Sequence, residues 1–213
     1  MTNAHFHKGA ETFLSYRGVE LRFVGFHPWV AGEVDCESAA REVREAAEAD
    51  PCTGIGEVGL DRLKVKSVTP AQRVLFDAQL RVAADLRRPV VLHGARCWGE
   101  VLKAVRPFAG RIPAFLFHGF SRSGGLMPDI EAVNGFVSVG KAVLNDHAVN
   151  YRELVKGIPH GRLLIETDDD AASGSERDDL LASIFMKVAE LTGVTEAEMD
   201  ANAFRFIQSL TAT

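Results

Sequence analysis

The chain is short of cysteine, of long apolar runs, of basic charge and of linker-like sequence, and each shortage excludes a class of protein. Its three cysteines, Cys36, Cys52 and Cys97, are odd in number, widely spaced and form no C-x-x-C pair. A disulfide framework is thereby excluded, and free thiols in a reducing compartment are expected. No stretch approaches the roughly 20 apolar residues of a membrane span. The N-terminal residues through His7 lack a basic region followed by an apolar run, so no secretory signal is expected and the cytoplasm is the expected compartment. Acidic residues outnumber basic ones 29 to 24, for a formal net charge of −5. That balance argues against extensive coating of nucleic acid and implies that any phosphate is met by a local site. No repeat, low-complexity block or Pro/Gly/Ser linker divides the 213 residues, so one domain over 1–213 is expected, with no obligate protein partner evident.

What is present is an ordinary globular composition, 46% hydrophobic and 25% charged, enough to bury a sizeable core. Short apolar runs recur at Leu21–Val24, Thr53–Gly56, Pro89–Leu92, Ala114–Phe117, Gly135–Val139 and Leu163–Ile165. Continuous apolarity, in place of alternation, is the mark of strands covered on both faces of a parallel sheet. Helical stripes fall between them. Thr69-Pro70-Ala71-Gln72 combines an N-cap, a proline at the first helical position and a capping-box glutamine. Leu75, Ala78, Val82 and Leu86 follow at helical spacing. A second stripe runs from Leu180 to Leu191, and Thr195-Glu196-Ala197-Glu198 is another capping box before a last helix. Strand and helix alternate throughout, which predicts an α/β fold.

The residues that end these runs carry the chemistry. His5 and His7 end the first segment, His27 the second, Glu57 the third, and His93 and His118 the next two; Leu163–Ile165 leads into Glu166, Thr167 and Asp168. Side chains at the carboxyl ends of parallel strands converge on one face, where barrel enzymes keep their active sites. The gaps from His27 to Glu57, Glu57 to His93 and His93 to His118 are 30, 36 and 25 residues, against roughly 31 per unit in an eight-unit barrel. A lone histidine after an apolar run is usually a hydrogen-bonded core residue; several at unit spacing are not explained that way. Imidazole with carboxylate suits zinc, manganese, nickel or iron, whereas carboxylate and water alone suit magnesium better. The set is large enough for two ions. His27 either lines the pocket or caps a strand, and Arg96 either meets a phosphate or forms a surface ion pair at a helix start.

Six of these segments together resemble one family. His5-Phe6-His7, Gly25-Phe26-His27-Pro28, Gly56-Glu57-Val58-Gly59-Leu60-Asp61, Pro89-Val90-Val91-Leu92-His93, His118-Gly119-Phe120-Ser121 and Glu166-Thr167-Asp168 are similar, in order, to the landmarks of TatD-type metal-dependent hydrolases, as is the tail Asn202-Ala203-Phe204-Arg205-Phe206. The resemblance implies a distorted TIM-type (β/α) barrel of about seven or eight parallel strands. It implies that His5, His7 and Asp168 bind one divalent ion, that His93 and His118 bind a second, and that Glu57 bridges both. Asp168 would also orient the attacking water and take its proton, and His27 and Arg96 would contact substrate. Deoxyribonuclease-like phosphodiester hydrolysis of DNA or a nucleotide-like substrate is the implied activity, with Mg, Mn, Zn or Ni as the ions. Hydrolysis of a small-molecule ester, lactone or amide is the alternative, and a non-catalytic metal-binding protein a third reading.

Three departures stand out. Asn3 occupies a position where the family usually has aspartate. Only 20 residues separate His7 from His27, which reads as a missing βα unit. Asp169 and Asp170 replace the usual small residue and proline after Asp168, and read as a solvated loop. His147 and His160 fit no strand-end pattern and are expected at the surface.

Overall fold

The fold is described from a computed structural model, which describes residues 1–64, 66–121, 124–169 and 174–211. Eight strands follow one another in chain order around a single sheet. β1 (Asn3–Lys8), β2 (Glu11–Tyr16) and β3 (Val19–Val24) form an antiparallel meander. β4 (Gly54–Asp61), β5 (Val90–Ala95), β6 (Phe115–Phe117), β7 (Gly135–Val139) and β8 (Leu163–Ile165) continue from β3 in parallel. The barrel closes where His7 N–H donates to Asp169 O at 2.8 Å and Asp168 N–H to His5 O at 3.1 Å.

The barrel has its full eight strands, but they are not all parallel: β2 runs against both neighbours. The short interval between His7 and His27 is the reason. A parallel crossover needs a dozen or more residues, whereas a hairpin needs two. Arg17 and Gly18 supply such a two-residue turn with φ of 50° and 79°, the mirror-image turn that suits strand twist. The expected gap is thus filled by a single strand with no helix.

Among the described residues, seven helices pack around the strands. α1 (Cys36–Ala49) starts at Asp35, which accepts from Ser38 N–H at 2.8 Å. α2 (Pro70–Leu86) starts at Thr69, which accepts from Gln72 N–H at 3.2 Å. Gln72 does not complete the expected capping box; its side chain instead accepts the buried N–H of Asp61 on β4 at 3.2 Å. α3 (Trp98–Val105), α4 (Met127–Ala132), α5 (Val149–Lys156), α6 (Gly174–Thr192) and α7 (Glu196–Thr211) complete the shell. The α7 capping box does form, with Thr195 N–H on Glu198 Oε2 at 2.8 Å and Glu198 N–H on Thr195 Oγ1 at 3.2 Å. Among the described residues no helix is long and apolar enough to cross a membrane.

Alternation along the strands separates two cores. Val90, Leu92, Phe115, Phe117, Val137 and Val139 pack outward into the main cluster with the helices. Phe23, Val91, Leu116, Phe136 and Leu164 form an inner cluster with Phe206, Ile207 and Leu210 of α7. Phe206 stacks on Phe23, centroids 5.9 Å apart, so α7 plugs one end of the barrel. Two residues beyond Val91, Leu116, Phe136 and Leu164 stand His93, His118, Ser138 and Glu166. Because the side-chain period of a strand is two, an inner apolar layer carries a polar layer directly above it.

Candidate metal centre

The polar layer gathers side chains from β1, β4, β5 and the ends of β3, β6 and β8 around one carboxylate, Glu57, itself only 7% exposed. On one side, His5 Nε2 lies 3.5 Å from both Glu57 Oε2 and Asp168 Oδ1, and His7 Nε2 lies 3.6 Å from the same two oxygens. His5 is completely buried, yet neither of its ring nitrogens reaches a hydrogen-bond partner. On the other side, Glu57 Oε1 faces His93 Nδ1 at 2.5 Å, His118 Nε2 at 2.6 Å and His27 Nε2 at 3.5 Å. Among the described residues three groups could hold an ion: His5, His7 and Glu57; His5, His118 and Asp168; and His27, Glu57 and His93.

Close strand approach makes this convergence feasible. Gly59 pairs with His93 between β4 and β5. Its φ is 156°, and a Cβ there would stand 2.0 Å from His93 O. Only glycine lets β4 lie this close while Glu57 and Asp61, on either side of it, face His93.

Electrostatics follow from the packing. Burial opposes charge on Glu57, but the imidazoles of His118, His27 and His5 outweigh it and hold the carboxyl well below the usual range. Burial likewise opposes charge on His118, while Glu57 and Glu166 outweigh it and raise its pKa well above that of a free imidazole. His5 is raised too: burial and His118 oppose its charge, and Asp168 and Glu57 prevail. For Asp168 burial is overcome by His5 and His7, and its pKa is lowered. His27 goes the other way, lowered chiefly by burial.

Every predicted donor is brought to one place: His5, His7, Glu57, His93, His118 and Asp168, with His27 against Glu57 as a further donor. His27 also caps the turn Pro28–Val30, accepting from Trp29 N–H at 3.3 Å. Arg96 lies one residue beyond β5, exposed, with a left-handed φ of 59° and no ion pair among the described residues. Among the described residues the helix-start ion pair expected as its alternative is not found. Asp169 is not a solvated loop residue: it pairs with Arg177, Nε to Oδ1 at 3.1 Å, and accepts from Thr167 Oγ1. Asp170 lies outside the described residues. His160 is exposed, as is His147, which lines the cavity described next.

Three supporting residues are not among the predicted site residues. Asp61, 1% exposed, accepts from Trp29 Nε1 at 2.8 Å and from the Leu63 and Lys64 N–H groups, and faces His93 Nε2 at 3.0 Å. Burial would raise its pKa, but those donors hold it at about 2. Its place two strand repeats after Glu57 was the available signal. Glu166 accepts from Gly119 N–H at 2.7 Å and Ser138 Oγ at 2.5 Å, and stands 3.7 Å from His118 Nδ1. Asn3 does not touch the donors. It accepts Thr167 N–H at 3.1 Å and donates to Thr167 Oγ1 at 2.9 Å, joining β1 to the end of β8. A cavity of about 1070 Å³ opens beside Asp168, lined by Gly119, Gly140, Lys141, His147 and Tyr151 among others.

Comparison with known proteins agrees with this architecture. The "3'-5' ssDNA/RNA exonuclease TatD" of Klebsiella pneumoniae (strain 342) is 30% identical over 193 residues, covering 84% of this chain and 73% of that protein. The "uncharacterized metal-dependent hydrolase YabD" of Bacillus subtilis (strain 168) is 29% identical over 145 residues, covering 68% of this chain. The chain spans little more than half, 56%, of the length of that Bacillus relative. The crystal structure of YJJV, a TatD homolog from Escherichia coli k12, superposes with a TM-score of 0.71 at 22% identity, covering 88% of this chain and 75% of that one. That likeness shows the fold. Residues 2–210 match the family described as TatD related DNase, and the chain belongs to that family.

Proposed function

We propose that the chain is a divalent-metal-dependent phosphodiesterase acting on DNA or a nucleotide-like substrate. The observation that carries this reading is the convergence of five imidazoles on the two oxygens of Glu57, with Asp168 facing two of them, His5 and His7. His5, His7, Asp168 and Glu57 Oε2 would hold one ion; His93, His118, His27 and Glu57 Oε1 would hold the second. The donors fit. Separations of 3.5 to 3.6 Å are too long for hydrogen bonds, whereas two ligands of a tetrahedral ion stand roughly 3.4 Å apart. The unpartnered nitrogens of buried His5 support the same reading, since such atoms are costly without a partner. Bound there, divalent ions supply Lewis acidity and lower the pKa of water.

The chain's own groups do the rest. Asp168, half exposed beside the cavity and held ionised, takes the proton that the attacking water gives up as its oxygen bonds to phosphorus, and returns it to the sugar oxygen that leaves as its own bond to phosphorus breaks. Glu57 stays ionised under burial because the imidazoles surround it. Glu166 fixes His118 from behind, and the cavity beside Asp168 gives the substrate room on the solvent side. Arg96, exposed and unpaired among the described residues, is the proposed phosphate contact.

The test is release of nucleotides from end-labelled single-stranded DNA by metal-stripped protein resupplied with Mg²⁺, Mn²⁺, Zn²⁺ or Ni²⁺. Release by the wild type and none by Glu57→Ala supports the reading. Folded, metal-loaded protein inert on all phosphodiesters would sink it. The net charge of −5 favours, as second reading, an ester, lactone or amide of a small molecule, which activity on such compounds alone would establish.

A further inference from the structure

Trp29 leans on the donor cluster and also reaches solvent. Its ring meets His27 edge to face with centroids 4.5 Å apart and lies 6.4 Å from His93. It is nevertheless 50% exposed, whereas the chain's other tryptophan, Trp98, is 4% exposed. The ring is fixed on its buried edge. Nε1 donates to Asp61 at 2.8 Å, and the preceding Pro28 is buried. Lys64 Nζ sits 3.6 Å from the ring centroid. An indole held this firmly, with half its surface left open, is preorganised for a flat partner.

The surroundings say which kind. Lys64 belongs to the β4–α2 loop, and Arg62 N–H ties that loop to the end of β5 by donating to Ala95 O at 2.9 Å. Arg62, Lys64, Lys66 and Arg96 are all exposed on these two neighbouring segments. Lys64 lies over the open indole, and Arg62, Lys66 and Arg96 are exposed on the same two segments, Arg62 also lying 3.8 Å from Glu100 Oε1, in a chain whose net charge is −5. An apolar ester needs no such cations. A nucleotide needs both features, a π-face for its base and positive charge for its phosphate.

Resting on the phosphodiesterase reading above, we propose that Trp29 and Lys64 form a stacking subsite for one nucleobase of a single-stranded nucleic acid. The base adjoins the His27–His93 side of the cluster. It occupies the exposed ring in place of the Lys64 ammonium, which moves to the accompanying phosphate. The subsite is sequence-tolerant, because every base offers a π-face.

Tryptophan fluorescence reports this directly. Metal-stripped protein, unable to cut, is titrated with short oligodeoxythymidylate and with an abasic oligomer of equal length. Quenching by the base-bearing oligomer, weak quenching by the abasic one, and loss of the signal in Trp29→Ala are expected. Binding of labelled oligomer should weaken on the order of tenfold in Trp29→Ala. Trp29→Phe, which keeps a ring but not the Asp61 hydrogen bond, should recover most of that loss. With metal restored, Trp29→Ala should raise KM more than it lowers kcat, and should erase the preference for base-bearing over abasic oligomer. Wild-type protein that binds and cuts DNA while Trp29→Ala does so with equal KM would overturn the subsite and leave the nuclease reading intact. Wild-type protein that neither binds nor cuts any oligomer would overturn both.

Discussion

His93 Nε2 lies 3.0 Å from Asp61 Oδ2. With one N–H given to the Asp61 carboxylate, Nδ1, which faces Glu57, is the nitrogen left to give its lone pair to an ion. A carboxylate behind a ligand histidine fixes both its tautomer and its orientation, and removing one lowers metal affinity roughly 10- to 100-fold. Asp61→Asn should therefore weaken the ion on the His93 side by about that factor and leave the His5 side unaffected. Calorimetric titration of stripped protein with zinc or manganese measures both sites. Unchanged affinity at the weaker site would mean that Asp61 serves only Trp29 and its loop.

The same carboxylate gives a pH signature. Its pKa is about 2 in the fold against 3.8 for a free aspartate, so the folded state favours its charged form. Its stabilisation is complete above 3.8 and disappears as pH falls through 2. The difference in denaturant stability between wild type and Asp61→Asn should be constant from neutrality down to about pH 4 and shrink below it. A difference that persists unchanged at the acid end would assign the effect to packing instead.

His118 has the opposite sign. Its folded pKa is raised well above 6.5, so in stripped protein its charge stabilises fully below 6.5, and this contribution is lost as pH rises through the raised value. An ion must displace that proton, so metal binding gains strength over the same interval. The melting temperature of loaded minus stripped protein should therefore widen as pH climbs from 6.5. A gap independent of pH would show that no imidazole proton is exchanged for metal.

The parts legible in the sequence share a physical cause. Val90–Leu92 and Gly135–Val139 are buried on both faces, so their apolarity is continuous and their ends, His93 and the approach to Gly140, are sharply marked. β2 carries no continuous apolar run because Glu11–Tyr16 is half-buried, with Thr12 and Leu14 buried and the more open Glu11, Phe13 and Ser15 alternating with them. Its alternation is a weaker mark than a continuous run. Donors at strand ends could be found by spacing alone. Spacing puts Asp61 on the same face of β4 as Glu57 but does not reveal its partners His93 and Trp29, which come from β5 and the turn after β3. Gln72 illustrates the same limit: its local signal pointed to the end of its own helix, but the buried N–H of Asp61 had the stronger claim.

Asn3 supplies a prediction about closure. Its amide accepts from Thr167 N–H and donates to Thr167 Oγ1, both buried. Asn3→Ala leaves a buried N–H without its acceptor, at a cost of about 1–3 kcal/mol. Urea denaturation of the variant should show that loss, and hydrogen exchange should rise at the His7 and Asp168 amides that bridge β1 to the chain after β8. Stability within error of wild type would mean that the two backbone bonds close the barrel unaided.

His27 separates the two halves of the cluster. Burial keeps its imidazole neutral near neutral pH, the form that donates to a metal, and its Nε2 faces only the Glu57 oxygen shared with His93 and His118. His7 faces the other oxygen and Asp168. In a two-step metal titration His27→Ala should weaken one step and His7→Ala the other, each variant leaving its partner step close to wild type. The His27 change should be the milder, because two further imidazoles remain on that side while His5 alone remains on the other. Loss of both steps in either variant would mean that the donors act as one site holding a single ion, with Glu57 bound through both oxygens.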